Sequence, residues 1–143
     1  MQLVRTVPPV ATSAGLLSAP PPRELALPGD EIERAALGYL HANCSHCHNQ
    51  DRPPSQGGRC FDPRNGLDFF LSADHLGTTA ETATYRTVVG KELEPGDPDD
   101  SKVVDLMSHR GFFRQMSPLA TEEVDPTAVA LVRRWIAQMG ARP

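Results

Sequence analysis

The residues best equipped for chemistry stand together at Cys44-Ser45-His46-Cys47-His48. Residues three and four apart share one face of a helical turn, so this C-x-x-C-H order aligns two thiols and an imidazole. Thiols add to vinyl groups, and a neutral imidazole is a good iron ligand. The spacing therefore suits one haem bound covalently through Cys44 and Cys47, with His48 on the iron from below. The chemistry of such equipment is electron transfer.

A haem held this way still needs a sixth iron ligand. Met107, Met116, Met139, His41, His75 and His109 are the side chains that could supply it. Methionine raises the potential of a His-bound haem. Met116 sits in the stretch Phe112-Phe113-Arg114-Gln115-Met116-Ser117-Pro118-Leu119 between two expected helices, where a loop can carry a thioether over the iron. Met107 and Met139 fall on helical stripes and read as core packing. His75, in a polar turn, is the main alternative. His46 should point outward, and His41 and His109 read as solvated or near the haem edge.

Two other chemistries use the same residues. Cys44, Cys47 and Cys60 with His46, His48 or His75 could form a zinc site, although such sites usually draw ligands from two paired knuckles and Cys60 stands alone. A redox C-x-x-C of the thioredoxin kind needs a βαβ setting that the sequence does not offer. Cys60 reads as a small buried hydrophobe. With only three cysteines one is always left over, so a disulfide to a partner chain is its sharper reading.

The elements that must position these groups are helical. Asp30 followed by Glu33 resembles a capping box and starts a helix that runs to about Asn43, with Ile32, Ala36 and Leu40 as its apolar stripe. Residues 49–66 are dense in turn formers and read as a long loop wrapping one side of the haem. Leu67–Leu71 looks strand-like before a turn at Ser72–Gly77, and Thr82–Val89 is ambiguous. Pro95–Asp99 is a tight turn, after which Asp99 or Asp100 could cap a helix over Ser101–His109. Asp125-Pro126 is an N-cap with proline at the first helical position. Ala128, Val129, Leu131, Val132, Trp135, Ile136 and Met139 then make a broad apolar stripe, with Gly140 as a stop.

At 143 residues the chain is one domain's worth, and 39% of it is apolar. Fourteen prolines and eleven glycines suggest a loop-rich fold that would gain from an internal apolar group. The net charge of −4 argues against nucleic-acid binding and suits docking to basic or mixed-charge partners. No run of about 18 apolar residues exists, so no transmembrane segment is expected. Residues 1–29, rich in proline, read as an extended arm or linker, and residues 30–143 as the domain. Residues 1–29 do not make a convincing export signal. Covalent haem attachment takes place outside the cytoplasm, so a periplasmic or otherwise exported protein is expected, and the chain reads as a fragment or processed form.

Taken together these pieces resemble the class I mono-haem cytochromes c. The resemblance spans about Asp30 to Gly140. It is closest to haem domains of exported bacterial proteins, through His41–Asn49, Pro95–Ser101, Met116–Leu119, Val124-Asp125 and Trp135-Ile136. The family has proline directly after the ligand methionine, whereas this chain reads Met116-Ser117-Pro118. The resemblance implies an all-α cytochrome c fold, three to four short helices and long loops around one haem c. It also implies that the first and last helices pack together through Gly38, Tyr39, Trp135 and Ile136. The expected role is that of a one-electron carrier, not an enzyme. Its partners would be redox proteins or subunits of a larger respiratory, photosynthetic or dehydrogenase complex. Phe69, Phe112, Phe113 and Leu119 would dry the pocket, and Arg114 or Arg86 would pair with a propionate. The rival function is a haem sensor or enzyme with a displaceable sixth ligand.

Overall fold

Asp30 opens the first helix through the capping box its sequence suggests. Its carboxylate accepts from the Glu33 amide at 2.9 Å, and the Asp30 amide donates in turn to the Glu33 carboxylate at 3.2 Å. Helix α1 then runs Glu31–Cys44. In the computed structural model, residues 26–50, 66–111, 114–117 and 122–139 are described. Three further helices follow: α2 (Ala83–Thr87), α3 (Lys102–Ser108) and α4 (Pro126–Met139). Two 3-10 turns, Ala73–His75 and Thr79–Glu81, lie between α1 and α2. Among the described residues the fold is all-helical, with isolated bridges but no strand.

Glu33 carries more than its cap. It is almost fully buried, and the Tyr85 hydroxyl donates to its second oxygen at 2.8 Å. That bond ties α2 to the start of α1 and keeps the buried carboxylate supplied with donors. Gly29 is required here. Its φ is +95°, and a Cβ would fall 2.5 Å from Glu33 Oε2.

Helix α4 starts as expected, since Asp125 Oδ1 accepts from the Thr127 and Ala128 amides at 3.0 Å each. The expected stop at Gly140 lies outside the described residues. Helix α4 packs against both α1 and α3. Ala36, Leu37 and Leu40 from α1 join Val132, Trp135 and Ile136 from α4, all fully buried, in one apolar cluster. Each large side chain placed there contributes about 1.5–3 kcal/mol of burial.

The expected close helix approach at Gly38 is corrected. Among the described residues a Cβ at Gly38 meets nothing nearer than a Leu27 methyl at 3.7 Å, so the glycine makes room for no other described helix. Gly38→Ala should therefore stabilise the protein by about 0.8–1 kcal/mol, read as a raised denaturant midpoint at unchanged slope.

Two other expectations also change. The cap of α3 is neither Asp99 nor Asp100 but Ser101, whose hydroxyl is engaged elsewhere. It donates to the Asp97 carbonyl at 2.7 Å and accepts from the Glu94 amide at 2.9 Å, closing the turn before the helix. Leu67–Leu71 forms no strand and pairs with none among the described residues. Its amides find separate partners: Asp68 donates to Thr87 Oγ1, Phe69 to the His48 carbonyl, Phe70 to Asp68 Oδ1 and Leu71 to His41 Nδ1. The segment is thereby pinned to both α1 and α2.

Candidate functional site

The end of α1 delivers the C-x-x-C-H residues onto one turn. The amides of Cys47 and His48 both bond the Cys44 carbonyl, at 3.1 and 2.9 Å, so the helical curl continues through the motif. Cys44 is half-buried and Cys47 exposed, and neither is in a disulfide. Burial pushes the Cys44 thiol up to about 12, with the neighbouring Cys47 adding to the rise. Cys44 therefore stays protonated at neutral pH. His48 is buried, and the Phe69 ring stands edge-on to its imidazole at 5.6 Å.

A cavity of about 380 Å³ opens beside this turn. Cys44, His48 and Met116 all line it, together with apolar groups such as Leu67, Phe69 and Val129. The fold thus brings three of the four expected site residues to one space. The fourth, Cys47, lies on the same turn but does not line it. The chemistry of the donor set fits a haem c: a cysteine, an imidazole and a methionine thioether line one largely apolar hollow.

The remaining sixth-ligand candidates are sorted by place. Met107, expected to be core alone, is buried on α3 but also lines the cavity. Met139 is half-buried against the core on α4. His75 is exposed at the end of a 3-10 turn. His109 is exposed and bonds the Asp105 carbonyl through its ring at 2.7 Å. His41 is half-buried rather than solvated, held by the Leu71 amide at 3.2 Å and edge-on to Phe70. His41, His46 and Phe70 line a separate depression.

Met116 is held by backbone and side chains that sequence reasoning missed. Its amide donates to the Leu106 carbonyl of α3 at 3.0 Å. Two residues earlier, Arg114 pairs with Asp105 of α3. Arg114 and Arg86 are both exposed and neither lines the cavity; the arginine in its wall is Arg110. Of the residues expected to dry the pocket, Phe69 does line it, while Phe112, Phe113 and Leu119 lie outside the described residues. Cys60 lies outside them too. Among the described residues no three of His, Cys, Asp and Glu gather as a metal site, so the zinc alternative finds no cluster there.

The Arg114 hydrogen bond, helped by Lys102, holds the Asp105 carboxyl below its ordinary value of 3.8. A lowered carboxyl contributes stability that is present above its unfolded value and is lost as pH falls through the folded one. Asp105→Asn should therefore destabilise the protein slightly above about pH 5, by an amount that shrinks as pH falls below the ordinary carboxylate range. Denaturant midpoints of both proteins across that range check this; a pH-independent gap would rule out the carboxylate as its cause.

Comparisons with family models, with curated proteins and with solved structures returned no match for this chain.

Proposed function

We propose that the protein is an electron carrier or relay of the class I cytochrome c kind, holding one haem c through Cys44 and Cys47 with His48 and Met116 as axial ligands. The observation that carries this reading is the cavity itself, which Cys44 and His48 enter from the end of α1 and Met116 from the loop before α4. When bound, the haem supplies an iron that alternates between ferrous and ferric.

The chain's own residues do the rest. Cys44 and Cys47 fasten the group at the end of α1, where the continuing helical curl fixes their separation. His48 is oriented by burial and by Phe69, which also helps keep water from the iron. Met116 would hold the iron through its thioether, a ligand that raises the potential of a His-bound haem. A dry wall of Leu67, Phe69 and Val129 favours the state of lower charge. The site would be assembled after export to the periplasm, and its partners would be redox proteins or other subunits of an electron-transfer complex. Among the described residues no helix is long and apolar enough to cross a membrane.

A haem-stained denaturing gel tests this directly, with the chain matured in a host that attaches haem c. Stain that survives denaturation and an intact mass greater by one haem are expected. Cys44→Ala and Cys47→Ala should each weaken the stain, and the double variant should lose it. A colourless protein carrying a chelatable metal would sink the reading and revive the zinc site.

A further inference from the structure

Arg110 lies directly after α3 and at the start of the loop that carries Met116. Its guanidinium makes three bonds to backbone. One nitrogen donates to the Met107 carbonyl at 3.1 Å and to the His109 carbonyl at 2.7 Å. The other reaches across to the Glu123 carbonyl at 2.7 Å, two residues before the cap of α4. One side chain thus closes both ends of the loop over residues 111–122. The same arginine lines the cavity, and its Nε is sealed from solvent with no partner among the described residues. The bond to Met107 is half-buried, while those to His109 and Glu123 face the exposed side. Arginine suits the task because its planar fork presents several donors in fixed directions, which a lysine ammonium cannot do.

We propose that Arg110 is the positioning residue for the sixth ligand: it clasps the loop between α3 and α4 and so keeps the Met116 thioether at the cavity. Met116 is then held at two levels. Its own amide is fixed to the Leu106 carbonyl, and the ends of its loop are drawn together by Arg110. The Arg114–Asp105 pair is a third tie, but it must order two side chains at the surface, whereas Arg110 holds backbone carbonyls on both sides of the segment. The proposal rests on the haem reading for what the thioether does, while the clasp itself does not.

The test has two arms on the full chain, matured with haem c, comparing wild type with Arg110→Ala, Arg110→Lys and Arg114→Ala. The first arm follows hydrogen exchange of the Met116 amide. Exchange at least tenfold faster in Arg110→Ala is expected, with amides of α1 unchanged and Arg114→Ala close to wild type. Unchanged exchange at Met116 overturns the clasp, whether or not haem is attached. The second arm titrates the ferric protein with imidazole. Arg110→Ala should bind it at least tenfold more tightly, with haem stain undiminished because Cys44 and Cys47 are untouched. Faster exchange with imidazole binding as in wild type would overturn the link to the ligand and leave a merely structural arginine. Absence of haem stain in wild type would instead strike the haem reading. Should Arg110→Ala not fold, Arg110→Lys keeps the charge and stem but cannot span both carbonyls, and the same shifts in smaller degree are expected from it.

Discussion

Met116→Leu should lower the reduction potential by roughly a tenth of a volt or more, within the ~0.8 V span that axial ligands command. It should also let carbon monoxide bind the ferrous protein, which wild type with Met116 on the iron should resist. Thioether ligation raises the potential of a His-bound haem, and leucine removes that ligation at nearly constant volume. The cavity wall is therefore disturbed as little as possible. Met107→Leu is the necessary control, because Met107 lines the same cavity from α3. Met107 is buried on a helix and its substitution should change the potential little, whereas Met116 is brought in by a loop tied at its own amide. If Met107→Leu gave the large shift and Met116→Leu the small one, the ligand assignment would move to Met107. If wild type bound carbon monoxide as readily as Met116→Leu, the sensor or enzyme reading would replace electron transfer.

Why the helix starts were legible in the sequence and the contacts of Arg110 were not comes down to range. Asp30 with Glu33, and Asp125 with Pro126, state their helix starts within four residues, and the structure builds both. The C-x-x-C-H turn is equally local. The α4 stripe announces burial of Val132, Trp135 and Ile136 through its period alone. The second role of Glu33 needs Tyr85, far along the chain, and nothing near either residue signals the pair. Ser101 took the cap position from Asp99 and Asp100 because the turn before it uses Asp97 and Glu94 as partners, a choice among three adjacent polar residues. Leu67–Leu71 has strand composition, yet its amides are taken up one by one by Thr87, His48, Asp68 and His41. Arg110 looks like any arginine after a helix. Only the fold shows that Glu123 lies within its reach.

Trp135→Ala should destabilise the protein by about 3–5 kcal/mol, the range for removing a large aromatic from a core. Trp135 is fully buried between α1 and α4, and the Tyr85 ring stands edge-on to it at 5.9 Å. Its loss would open a cavity against Leu37, Leu40 and Ile136, which the two 14-residue helices cannot close without sliding. The site would feel this too, since Asp125 and Val129 at the start of α4 line the same cavity as Cys44, His48 and Met116. Trp135→Phe separates packing from polarity. The indole Nε1 is buried with no hydrogen-bond partner among the described residues, so the native residue already bears the loss of that bond. Phenylalanine removes the unsatisfied donor while keeping most of the ring, and should destabilise by less than about 2 kcal/mol. Chemical unfolding followed by circular dichroism measures both, because the chain has a single tryptophan and its fluorescence vanishes with the substitution. A phenylalanine variant as unstable as the alanine one would mean that Nε1 does have a partner, and that the tryptophan is held by a bond rather than by its bulk.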